Sequence, residues 1–159
     1  MKQKAAIVLS FMFVLAIYSC TKDDNTNKDD VYSISASMSA ANEVGANTSA
    51  GNTNTYPGTG SVTGSYNATT NQLQYNVTWS GLSGAATAGH FHGPALAGTS
   101  AGVQVPFTIV NSGTSGTAAG TASLTDTQET DLLAGKWYAN IHTQANGGGE
   151  IRGQVSAVK

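Results

Sequence analysis

The chain has 159 residues, of which only 10% are charged; 7 basic and 9 acidic side chains leave a formal net charge of −2. Such a sparse, nearly balanced set offers no basic patch and argues against nucleic acid or an anionic lipid surface as a partner. The single cysteine excludes a disulfide framework, so stability must come from burial and sheet hydrogen bonding.

The chain opens with a targeting pattern. Lys2 and Lys4 precede an apolar run from Ala5 to Ile17 that ends in Tyr18-Ser19-Cys20. The run falls short of the roughly 20 apolar residues that span a bilayer and suits the core of a signal peptide. Ile17-Tyr18-Ser19-Cys20 resembles the lipobox of bacterial lipoproteins, although Tyr18 stands where a small residue is more usual. The resemblance implies a signal peptide over residues 1–19 and acylation of Cys20, a palmitate-type lipid anchor to a membrane. The alternative is an ordinary secretory signal with an incidental thiol. Residues 20–30 would then carry the acylated Cys and a polar, flexible tether. Lys22-Asp23-Asp24 is similar to an acidic export signal of Gram-negative lipoproteins. The expected location is the cell envelope, at the outer membrane, with surface display or a periplasm-facing anchor both open.

Residues 31–159 are enough for one domain. Tyr32 to Ser39 alternates Tyr, Ile, Ala and Met with serines, the pattern of a half-buried strand. Asn42 to Thr59 reads as a long loop containing Tyr56. Gly60–Asn67 and Gln72–Trp79 form a predicted hairpin across residues 68–71; Leu73, Tyr75, Val77 and Trp79 share one face, which favours core packing over a sugar-stacking platform. Gly89-His90-Phe91-His92-Gly93-Pro94 follows a turn-rich stretch. Val103–Val110 is an apolar strand whose Pro106 suggests an edge or a bulge, and Gly113–Leu124 is small-residue strand material. Thr125 with Gln128 makes a capping box for one short helix that Gly135 closes. Trp137–Thr143 and Glu150–Val158 complete the set. The expected class is all-β: an antiparallel sandwich or barrel of about seven short strands with one short helix.

GHFHGPA, GVQVPF and WYANIHTQANGGGEIRGQV, in that order, resemble the CHRD domain, which is named after chordin and occurs singly in many bacterial exported proteins. The likeness spans most of Tyr32 to Val158, with Gly147 where such domains often have Pro. It implies a compact β-domain over residues 31–159 and a non-enzymatic binding or structural module. The growth-factor association of chordin-type proteins does not transfer to a bacterial lipoprotein. The partner, a protein or a glycan, stays open.

All three histidines lie in these motifs. His90 and His92 alternate on an extended backbone and so share a face; His142 joins them if the two strands are neighbours. One reading is a mononuclear copper or zinc site of His90, His92 and His142, open to redox activity. Too few histidines remain for a bimetallic site like that of Cu/Zn superoxide dismutase. The other reading is a structural polar layer in which the imidazoles bond with Tyr138 and Asn140, and to which Glu150 and Arg152 could add. No Gly-x-Ser-x-Gly elbow, opposed carboxylate pair or phosphate loop is present, so no catalytic residue is assigned and no enzyme is expected.

Overall fold

The structure, a computed structural model, describes residues 30–44 and 57–159. The expected signal peptide, Cys20 and all of its tether but Asp30 lie outside the described residues, as does most of the expected long loop, Tyr56 included.

The elements follow the hydrophobic patterning closely. β1 (Val31–Ser39) buries Ile34, Ala36 and Met38 while Ser33, Ser35 and Ser37 face out. A 3₁₀ turn (Ala40–Asn42) follows. β2 (Thr59–Asn67) and β3 (Gln72–Ser80) pair antiparallel along their whole lengths. Their connection is tied by Asn67, whose Oδ1 accepts the N–H groups of Thr69 and Thr70, and Asn71 turns the chain at φ +57°. β4 (Ala86–His92), β5 (Val103–Pro106), β6 (Ile109–Asn111) and β7 (Gly116–Ser123) come next. α1 (Asp126–Leu133) starts on Thr125, which accepts from the Gln128 N–H while the Gln128 amide oxygen accepts from the Thr125 N–H. β8 (Tyr138–Thr143), β9 (Ile151–Gln154) and β10 (Ser156–Val158) end the chain.

The class is all-β, with ten strands where about seven were expected. Two predicted strands are each divided. Val103–Val110 breaks after Pro106, which has no N–H to give to a ladder. Glu150–Val158 breaks at Val155, whose N–H turns to the Trp137 carbonyl. The strands form one curled antiparallel sheet, a half-barrel, in the order β5-β4-β8-β9-β1-β2-β3-β7-β6, with β10 also alongside β1.

Its two edge strands, β5 and β6, are consecutive in the chain and separated only by Phe107 and Thr108. Three Cα–Cα steps reach at most about 11 Å, so the curl must bring the edges together. The Phe107 N–H donates to the Gly89 carbonyl on β4, and the Thr108 carbonyl accepts from Ala119 on β7. Inside the curl, Phe91 is fully buried and packs edge-on against Tyr75 and Phe107, with Trp137 close by. Gly120 and Gly116 stand opposite Tyr75 and Trp79 in register, and a Cβ at either would collide with the aromatic ring. That is why β7 is built from small residues.

Candidate metal centre

Phe91 points into the core, so period-two alternation sends His90 and His92 to the opposite, outer face of β4. β4 pairs with β8 in a register that sets Ala88 opposite His142, His90 opposite Asn140 and His92 opposite Tyr138. Trp137, Ala139 and Ile141 are fully buried in the core, which leaves Tyr138, Asn140 and His142 on the outer face beside the two β4 histidines. Ala88 is small, so the His142 ring can lean diagonally toward His90.

The three imidazoles converge. His90 Nδ1 and His142 Nε2 are 3.1 Å apart, and one donor atom from each of His90, His92 and His142 lies within 4.8 Å of the others. The opposite nitrogens are anchored by backbone. His142 Nδ1 lies 3.0 Å from the Gly147 carbonyl, and His92 Nδ1 lies 3.0 Å from the Ala101 carbonyl. A carbonyl only accepts, so both Nδ1 atoms carry the proton and in the neutral rings both Nε2 atoms carry a lone pair. This is the outer hydrogen bond that metal-binding imidazoles usually make.

His92 has a second commitment. Its Nε2 lies 3.1 Å from Asn140 Oδ1, and its ring stacks on Tyr138 at 4.8 Å and 2°. Two lone pairs cannot face each other at that distance without cost. The contact is satisfied with the Asn140 amide turned to donate or with a cation between the two acceptors.

The stack continues on the other side of β8. The Arg152 guanidinium lies 3.3 Å from the Tyr138 ring centroid, a cation–π contact. A covering loop ties the stack down. Arg152 Nη2 donates to the Thr99 carbonyl at 2.5 Å, and the Tyr138 hydroxyl meets both the N–H and the carbonyl of Ala101.

Of the residues expected in the polar layer, Tyr138, Asn140 and Arg152 are therefore brought together with His92. Glu150 is not among them. The 144–149 turn rotates it away from Arg152, and its carboxylate accepts instead from the Ser83 N–H, the Ser83 and Thr143 hydroxyls and the Asn146 amide. Sequence reasoning missed these three partners, and it also missed Gln154 and Glu43. Gln154 was accessible through parity, since it shares the Arg152 face and pairs in register with Tyr138.

The family model described as CHRD domain matches residues 34–155. The chain belongs to the CHRD domain family. The match encloses every histidine and all of the outer-face layer. No curated protein and no solved structure matches the chain.

Electrostatics in this CHRD domain favour neutral imidazoles. Burial, helped by the two neighbouring histidines, lowers the His90 pKa to about 4. Burial likewise lowers the pKa values of His92 and His142, against the raising effect of their backbone hydrogen bonds. At neutral pH the rings are therefore unprotonated, the state that a metal ion requires. Two nitrogens 3.1 Å apart, each about 2.05 Å from one ion, subtend roughly 100° there, close to tetrahedral. His92 supplies the third nitrogen of the group, within 4.8 Å of the other two.

Proposed function

We propose that the protein is a non-enzymatic CHRD module, held at the cell envelope by lipid on Cys20, whose polar face binds one copper or zinc ion through His90, His92 and His142. The observation that carries the reading is the approach of His90 Nδ1 to His142 Nε2 at 3.1 Å while the far nitrogen of His142 is fixed on a backbone carbonyl. Imidazole suits both metals, and three histidines leave a further position for a ligand from solution or from a partner. The envelope location and the anchor rest on the Lys2-to-Cys20 pattern. The low net charge supports a protein or glycan partner over nucleic acid.

The test is calorimetric titration of the chelator-stripped full-length protein with zinc and with copper, beside His142→Ala. One ion should bind per chain, and the variant should bind at least about tenfold more weakly. No binding of either metal would end this reading. A second reading has its own observation: His92 already spends both ring nitrogens and stacks on Tyr138. In that case the imidazoles only hold the sheet to its covering loop, and His92→Ala lowers stability with no metal to lose.

A further inference from the structure

A second site lies on the far side of Arg152 from the histidines. A cavity of about 330 Å³ opens between the 3₁₀ turn, the covering loop and β9, lined by Asn42, Glu43, Ala97, Gly98, Arg152 and Gln154 among others. Three buried polar atoms of its lining residues have no hydrogen-bond partner: Arg152 Nη1, Gln154 Oε1 and Glu43 Oε2.

Each of these side chains is held in place by its other bonds. Arg152 is only 2% exposed; its guanidinium is pinned flat on Tyr138 and by Nη2 on Thr99. Gln154 Nε2 donates to the carbonyls of Ala95 and Gly135, which fixes the amide so that Oε1 is the acceptor left over. Glu43 Oε1 accepts the Val44 N–H. Burial raises the Glu43 pKa, opposed by the Val44 N–H, the Arg152 charge and the neighbouring Asn140 side chain, and the ion pairs among the described residues do not include Glu43 or Arg152.

A buried cation and a half-buried carboxylate, its Oε2 out of water, that share a cavity without pairing are costly unless something supplies counter-charges to both. A lone anion would be repelled by Glu43 and a lone cation by Arg152. A neutral polyol would satisfy the hydrogen bonds but leave both charges uncompensated. We propose that this cavity binds a small zwitterion of the amino-acid class. Its carboxylate accepts from Arg152 Nη1, and its ammonium donates to Glu43 Oε2 and Gln154 Oε1. Cavities of this size hold small ligands, and the walls of Ala97 and Gly98 leave room for a compact one.

The experiment is calorimetric titration of the full-length protein, kept in chelator so that metal plays no part, with glycine, alanine, acetate, ethylammonium and glucose in turn. Glycine or alanine should bind saturably, one per chain, with acetate, ethylammonium and glucose at least about tenfold weaker. Glu43→Gln, which keeps shape and the Val44 bond, should weaken amino-acid binding at least about tenfold with little change in Tm. Arg152→Lys should also weaken binding, with a lower Tm because its stack on Tyr138 and its bond to Thr99 are lost, and His142→Ala should leave binding unchanged. The proposal is overturned by any of three results: no saturable amino-acid binding at millimolar concentrations, glucose binding as tightly, or unchanged affinity in Glu43→Gln. Because metal is absent throughout, the outcome is independent of the three-histidine site.

Discussion

Glu150 and Arg152 stand two residues apart, both almost wholly buried, and their surroundings differ in kind. Glu150 ends in a closed network. Both carboxylate oxygens are taken up by Ser83, Thr143 and Asn146, all of them neutral. Burial alone would raise its pKa, but these hydrogen bonds together hold it below the usual carboxylate value. The network joins the turn after β3 to the turn after β8, and nothing in it is left to spend. The face that Arg152 shares with the histidines is open by contrast. It keeps Arg152 Nη1, Gln154 Oε1 and Glu43 Oε2 without partners, and it gathers three imidazole ligand atoms within 4.8 Å of one another. A protein folds to satisfy its buried polar groups. Where one region does so completely and its neighbour does not, the neighbour is where a ligand belongs.

That contrast is testable through stability and binding measured side by side. The largest effect is expected from Glu150→Ala. It leaves the Ser83 N–H and the Thr143 and Asn146 side-chain donors without their acceptor, at a cost of about 3 kcal/mol or more in urea unfolding, with metal affinity unchanged. A loss of metal binding at equal stability would merge the two regions into one. His92→Ala should cost about 2 kcal/mol, through its bonds to Ala101 and Asn140 and its stack on Tyr138, and should weaken metal binding too. His142→Ala removes a partly exposed side chain and should cost under about 1 kcal/mol while removing most metal affinity. If its stability loss matches that of His92→Ala, the histidine face is scaffold as well.

A further effect is on pH dependence, reduced by the partial exposure of His90. His90 titrates near 4 in the fold, against 6.5 for the free side chain. Between these values the unfolded chain takes up a proton that the folded chain refuses. The His90 contribution is therefore fully present above about pH 6.5 and is lost as pH falls toward 4. Thermal melts across that window should show a falling Tm in the metal-free protein, with a shallower fall in His90→Ala. An identical slope in the variant would place the His90 ring in water.

The parts of this account that the sequence carries are those set by local rules. Period-two alternation places Ile34, Ala36 and Met38, and then Leu73 to Trp79, on the core side. Thr125 and Gln128 announce the helix start. Phe91 between two histidines, and Ile141 before the third, fix which face the imidazoles take. Parity assigns faces but not neighbours. That β4 lies beside β8 follows from the curl of the sheet, which brings together His90 and His142, 52 positions apart in sequence. Glu150 was misplaced because alternation holds only within a strand, and Glu150 sits in the turn before β9 begins. The partners of Arg152, His92 and His142 include the carbonyls of Thr99, Ala101 and Gly147. Every residue type has such a group, so no side-chain pattern reveals them. Pro106 did signal an edge, although not that the next two residues would cross from one edge of the sheet to the other.

The central claim is that the imidazole nitrogens are arranged for an ion, and nitrogen NMR of ¹⁵N-labelled histidines reads it directly. In the metal-free protein His142 and His92 should show a protonated Nδ1 and an unprotonated Nε2. One equivalent of zinc should then shift Nε2 of both, and Nδ1 of His90, to metal-bound positions while the two Nδ1 protons stay in place. Imidazole signals that do not respond to zinc would contradict the account and leave these histidines as part of the fabric of the fold.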